Sequence, residues 1–268
     1  LYSRNKDFLV SDAVITFTDT NGKLMALKPD VTLSIVRNTA DCPEGLQKLY
    51  YHENVYRVSE GADGFREETQ VGLECMGQVE ERTISEILAL AAESLRLLSD
   101  RYLLEIGHLD LLKGIVERLG AEAEITARIL QMAGEKNLHG IHALCGECGL
   151  EPAEEQRLRR LLSAYGTPEE ALPVLAEVAA GTGLEESVRE MERTLAPLMD
   201  TEAEKHLWID CSVSADLKYY HGFAMKGYLE GIPDPVLSGG QYDALMRRMR
   251  RKDRAIGFAV FLNRLERL

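Results

Sequence analysis

Gln70 and Glu74 stand four apart in residues 69–77 (TQVGLECMG). That run is strand-like, and alternating side chains put both on one face. A glutamate buried there needs hydrogen-bond donors, and a cationic small molecule, an amine or an imidazole would supply them. A solvent-facing sheet surface is the commoner reason for any single such pair. Asp210 and Ser212 repeat the pattern in residues 206–213 (HLWIDCSV). Tyr219-Tyr220, followed by His221-Gly222, places two phenols on opposite strand faces, normally one in the core and one at a rim. Ser238-Gly239-Gly240-Gln241-Tyr242-Asp243 reads as a glycine turn opening a helix, where a ligand can approach the backbone closely.

Two further clusters carry rival readings. His139, His142, Cys145 and Cys148 form H-x2-H-x2-C-x2-C, a possible zinc set. The same three-residue spacing is that of an amphipathic helix stripe, and no second Cys pair accompanies it, so no metal is expected. Residues 247–254 (RRMRRKDR) hold six basic residues in eight. They read as a solvated helix-to-strand connection, or else as a dock for an acidic partner or a nucleotide. Trp208 is expected in the core and His108 in a structural role.

These groups need elements to position them. Residues 14–19 and 23–27 flank Thr20-Asn21-Gly22 and predict a β-hairpin. A helix starts at Thr32 after Pro29-Asp30. Residues 47–57 and 69–77 read as strands flanking a loop over 58–68 that contains Gly61, Asp63 and Gly64. Residues 81–100 are helical, with Ile84, Ile87, Leu88, Leu90, Ala91, Leu95 and Leu98 at helical spacing, and 102–107 form a strand. In 111–204 aromatics nearly vanish, and glycines and prolines punctuate segments of helical length, predicting four to six helices. Strand signals return at 206–213, 219–229 and 255–261, with a helix from about Tyr242 and another at the end. The fold class is α+β: an antiparallel sheet flanked by helices, built from 1–110 and 205–268, with a helical insertion over 111–204.

At 268 residues, 45% of them hydrophobic, the chain can bury a sizeable core. No window approaches eighteen uninterrupted apolar residues, which argues against a membrane span. Lys plus Arg number 31 and Asp plus Glu 44, giving 31 − 44 = −13. A chain this acidic is a poor general binder of DNA or other polyanions. Five scattered cysteines and the absence of a basic-then-apolar leader after Leu1 fit the cytoplasm.

Taken together, five segments resemble class II aminoacyl-tRNA synthetases in their histidyl form. Residues 50–77 (YYHENVYRVSEGADGFREETQVGLECMG) resemble motif 2. Gly257-Phe258-Ala259 through Arg264-Leu265 resembles motif 3. Lys28-Pro29-Asp30-Val31-Thr32 is similar to a third family segment, and Tyr219-Tyr220-x-Gly222 and Gly239-Gly240-x-Tyr242-Asp243 resemble two histidine-specific ones. They occur in the family's order and spacing across 1–110 and 205–268. The resemblance implies a histidine pocket over an antiparallel sheet, with Asp30 and Thr32 near the α-amino group. It places Gln70, Glu74, Tyr219 and Tyr220 around the amino group and imidazole, and Arg57, Arg66 and Arg264 where ATP phosphates would bind. Carboxylates suit an ammonium, a glutamate and a phenol can read both ring nitrogens, and a guanidinium fork suits phosphate.

Departures from the pattern point away from catalysis. The family arginine four residues before the first tyrosine is Ala215 here, and the residue before the tyrosines is Lys218 instead of aspartate. Gln241 replaces an arginine, and Phe261 and Asn263 replace the glycine and glutamate of motif 3. Losing such groups removes the electrostatics that stabilise an adenylyl-transfer transition state. With four residues after Arg264, no anticodon-binding domain is expected, and motif 1 is expected before Leu1. The resemblance is therefore closest to the catalytically silent paralogues that serve as regulatory subunits of ATP phosphoribosyltransferase. It implies a short-form catalytic subunit as partner, a homodimer through the synthetase-like core, a histidine ligand, no cofactor, and coupling by linkage. A divergent synthetase fragment that forms histidyl-adenylate, and a free-standing histidine-binding or tRNA-modification-related paralogue, are the rival readings.

Overall fold

The computed structural model describes residues 14–42, 44–58, 64–212 and 220–267. Its centre is an eight-stranded sheet. A 13-residue hairpin pair, β3 (Leu46–Val58) and β4 (Phe65–Gly77), forms one end. Next come β10 (Arg254–Phe261), β9 (Leu237–Gln241), β8 (His221–Leu229), β5 (Tyr102–His108), β7 (Leu207–Asp210) and the two-residue β6 (Tyr165–Gly166). Every pairing is antiparallel except β5 with β7. The predicted antiparallel sheet thus carries one parallel step, where the chain returns to it after the helices. A separate small hairpin joins β1 (Thr16–Thr18) to β2 (Leu24–Ala26), and Asp19 Oδ1 accepts the amides of Asn21 and Lys23 in its turn.

One sheet face is covered by α2 (Glu81–Leu98), whose Ile84, Ile87, Leu88, Ala91 and Leu95 are fully buried. That stripe is the predicted one except for Leu90, which lies on the exposed side of the helix, and the helix ends two residues sooner than expected. Six helices follow β5: α3 (Leu109–Glu117), α4 (Ala123–Gly134), α5 (Leu138–Glu147), α6 (Pro152–Ser163), α7 (Pro168–Ala179) and α8 (Glu185–Leu195). Prolines open α6 and α7, where a missing N–H costs nothing, and a Thr167–Glu170 capping box closes the first turn of α7. These helices share one apolar cluster with α2 and the core-facing residues of β5, β7, β8 and β10. The opposite face carries α1 (Thr32–Asn38) and α9 (Asp243–Arg248), packed through Leu33, Val36, Leu245 and Met246 onto Met76. A 3₁₀ turn, Leu262–Arg267, ends the chain where a helix was expected.

Four sequence readings need correction. Ser238 to Gln241 form a central strand instead of a turn. A Cβ on Gly239 would lie 2.3 Å from the Gly257 carbonyl oxygen, so the glycines permit close strand approach. The loop expected over 58–68 is shorter, because β3 and β4 run on to Val58 and from Phe65. This places Arg66 and Glu68 on a strand, beside the Arg57 that was expected on one. Trp208 is only half-buried: Leu207 and Ile209 take the core side of β7, and Trp208 packs against Tyr165 on the other. The basic run is not simply solvated, since Arg251 is nearly buried, pairs with Asp41 and donates to the carbonyls of Val36 and Thr39 at 2.7 Å, closing the end of α1.

His139, His142 and Cys145 lie on α5, with Cys148 just past its end. Cys145 is in the core, Cys148 is exposed, and His142 Nδ1 is 2.8 Å from Glu155. His108 is buried, edge-on to Phe223. Asp210 closes on its own turn, accepting from the Ser212 amide and hydroxyl and pairing with Lys136 at 2.7 Å.

Candidate functional site

The sheet face under α1 and α9 holds a cavity of about 70 Å³, against the ~10–15 Å³ that one water requires. Asp30, Thr32, Arg57, Gln70, Glu74 and Tyr220 all line it, so six residues scattered over 190 positions meet at one place. Glu68, Gln70 and Glu74 share a face of β4 by period-two alternation. β3 brings in Tyr51 and Arg57, and β10 leaves room beside them. Gly257 is paired with Glu74, and a Cβ there would sit 2.0 Å from Glu74 Oε2. The bare strand is what lets the carboxyl group lie across the sheet.

Glu74 is fixed by two hydroxyls. Thr32 Oγ1 donates to Oε1 at 2.5 Å and Tyr242 OH donates to Oε2 at 2.6 Å. Burial pushes its pKa up to about 8, against those two donors and with help from the nearby Asp30 charge. Asp30 is also raised, mainly by burial, although the Leu33 amide (2.7 Å to Oδ1) and Arg57 pull it back. One Asp30 oxygen therefore ties down the first turn of α1, a role that its motif does not reveal. Tyr51 is pushed well above the ordinary phenol value by burial and by Glu74 and Asp30. This end of the cleft is short of positive charge, and an ammonium or imidazolium would supply it.

The other end is cationic. Arg57 is buried, with Nε 3.7 Å from Glu68 Oε2. Arg264 Nε lies 3.6 Å from Glu68 Oε1, its guanidinium sits 4.2 Å over the Phe261 ring, and its NH1 donates to the Pro235 carbonyl. Burial lowers the Arg264 pKa, the Glu68 and Asp234 charges raise it, and Arg66 and Arg57 lower it further. Arg66 itself is exposed at the rim. The three arginines are thus neighbours, and two of them already face a carboxylate.

Tyr219, Lys218 and Ala215 lie outside the described residues. Tyr51, Glu68 and Tyr242 were missed as site residues. Strand alternation extended back from Gln70 and Glu74 reaches Glu68, and extended back from Arg57 it reaches Tyr51. Tyr242, at a strand-to-helix junction, carries no periodic signal. Gln241 has become structural, since its Oε1 accepts the Phe223 amide at 2.7 Å and spans the bulge between β8 and β9. Asn263 likewise accepts the Thr69 amide at 2.5 Å. Lys113, from α3, donates to the Tyr220 carbonyl at 3.1 Å and links the helices to the cleft wall.

A family model described as histidyl-tRNA synthetase matches residues 5–265. Curated relatives called ATP phosphoribosyltransferase regulatory subunit are 24–32% identical. One from Thermoanaerobacter pseudethanolicus is 30% identical over 98% of this chain and 70% of its own length. The chain belongs to the histidyl-tRNA synthetase family, among its ATP phosphoribosyltransferase regulatory subunits. A crystal structure of a regulatory subunit/histidyl-tRNA synthetase from Bacillus halodurans superposes with a TM-score of 0.82 at 26% identity, covering 95% of this chain and 68% of that one. In the ATP phosphoribosyl transferase (HisG:HisZ) complex from Thermotoga maritima, a chain sharing 20% identity has the same fold, with a TM-score of 0.73 over 92% of this chain and 84% of that one. The chain spans 64–66% of the length of the first three curated relatives that it matches.

Proposed function

We propose that this chain is a non-catalytic regulatory subunit that pairs with the short-form catalytic subunit of ATP phosphoribosyltransferase and reports histidine to it. The observation that carries the ligand is the buried pair Asp30 and Glu74 at one end of the cavity, where Thr32 and Tyr242 hold Glu74 and the Leu33 amide holds Asp30. Histidine carries an ammonium and an imidazole, and Gln70 and Tyr220, which line the same cavity, have the groups to hydrogen-bond them. The partner comes from the name shared by the relatives and from the complex of the Thermotoga maritima neighbour.

The loss of adenylate chemistry rests on Gln241, Asn263 and the contact of two arginines with Glu68. Gln241 and Asn263 are committed to backbone amides, and the Arg57–Arg264 pair faces Glu68. Preorganised positive charge is the main resource of a phosphoryl-transfer site, and here it is spent internally. A second copy of the chain would cover the edge strand β3, whose Leu46 and Tyr50 are 39% and 89% exposed. Residues 1–110 and 205–268 then act as the dimerising core and 111–204 as an insertion. The five unpaired cysteines suit a reducing cytoplasm. No described helix is long and apolar enough to cross a membrane.

The gathering of Arg57, Arg66 and Arg264 favours the second reading, a divergent synthetase fragment. Histidine-dependent pyrophosphate–ATP exchange separates the two. The regulatory reading expects no exchange together with calorimetric binding of histidine, and exchange at rates typical of an enzyme would establish the other.

A further inference from the structure

The arginine end of the cleft contains one group that neither resemblance nor motif assigns. Glu68 is 3% exposed, yet among the described residues it makes no hydrogen bond shorter than the 3.4 Å one it accepts from Gln70 Nε2. Its two oxygens instead lie 3.7 and 3.6 Å from Arg57 Nε and Arg264 Nε. Arg57 Nε has no hydrogen-bond partner among the described residues, although the side chain is more than nine-tenths buried and lines the cavity. Buried donors are normally satisfied, and here the facing group, the Glu68 carboxylate, stops just beyond hydrogen-bond reach of Arg57 Nε.

We infer that Glu68 is a specificity-determining residue. Its carboxylate occupies the position between Arg57 and Arg264 that a ligand phosphate would need, and it restricts the cleft to phosphate-free amino-acid ligands. A buried guanidinium, Arg57, beside a second that is only 23% exposed, Arg264, cannot be left without counter-charge. An internal carboxylate provides it and repels any second anion, an effect far stronger in a partly desolvated cleft than in water. Arg66 does not restore the balance, because its charge is exposed to solvent and salt. The distances fit charge balance: both exceed hydrogen-bond length. The inference goes beyond the proposed function and stands whether or not the Asp30–Glu74 end binds histidine.

The test is a calorimetric and thermal-unfolding titration of the full chain with inorganic tripolyphosphate at constant ionic strength. The unaltered chain should show no saturable binding below about 1 mM. Glu68→Gln keeps the side-chain shape, and it should bind at least about tenfold more tightly. Adding Arg57→Met to that variant should abolish the gain. A folded Glu68→Gln protein that binds no more tightly than the parent would overturn the inference. So would sub-millimolar binding by the unaltered chain that Arg57→Met removes, an arm that does not depend on Glu68→Gln folding. Histidine titrations of the same samples are read separately, so failure of the amino-acid site does not mimic failure at the arginines.

Discussion

Glu74 shows how one side chain can tie ligand chemistry to stability. Its carboxyl pKa rises on folding from 4.5 to about 8, so between those values the native protein holds a proton that the unfolded chain has released. Stability should therefore fall as pH rises through that window, by roughly 1.4 kcal/mol per unit and roughly 5 kcal/mol in all. Glu74→Gln removes the cost. The variant should gain on the parent steadily from pH 5 to pH 8 in urea titrations while losing at least about tenfold in histidine affinity. An unchanged difference across that range would show that the carboxyl is not desolvated as described. Asp243 works in the opposite sense. Burial alone would raise its pKa, but His221 at 3.0 Å, the Ala255 amide and Arg254 outweigh this and hold it below the usual 3.8. Its contribution is present above that value and lost as pH falls below it. Asp243→Ala leaves those partners unpaired and should cost about 3 kcal/mol at neutral pH; a loss under about 1 kcal/mol in denaturant titration would contradict the geometry.

At the scale of elements, the join between β8 and β9 has little room for change. Gly222 has φ 55°, and a Cβ there would meet Gln241 Oε1 at 2.1 Å. Gly222→Ala should strain the backbone and displace the glutamine from the Phe223 amide, costing about 2–4 kcal/mol by chemical denaturation. Lys113→Met tests the link from α3 to the cleft. Removing one hydrogen bond to the Tyr220 carbonyl should weaken histidine binding about fivefold, with little change in melting temperature; an unchanged affinity would mean that α3 does not position the wall. Much at this scale was legible beforehand. The α2 stripe and the start of α1 follow from periodicity and from Pro29-Asp30. The role of β9 did not, because glycines that admit close strand approach look the same in sequence as glycines in a turn. The extensions of β3 and β4 were equally hidden, since residues 65–68 (FREE) lack the apolar alternation of a half-buried strand.

At the scale of the molecule, the cleft is a balance of charge that sequence alone could only outline. The motifs name most of its lining, but that Glu68 stands between Arg57 and Arg264 depends on how β3, β4 and the final turn meet, which no spacing encodes. On the proposed function, this contact is what would separate an amino-acid sensor from an amino-acid activator, and a sensor matters only through what it changes in a partner. The most direct measurement adds the purified full chain to a short-form ATP phosphoribosyltransferase catalytic subunit and follows formation of the phosphoribosyl-ATP product, with and without histidine. The account predicts that the chain raises the turnover of the catalytic subunit, that histidine reverses this, and that Glu74→Gln blunts the reversal while keeping the activation. A catalytic subunit whose rate is the same with and without the chain, or a chain that by itself supports histidine-dependent pyrophosphate exchange, would contradict it.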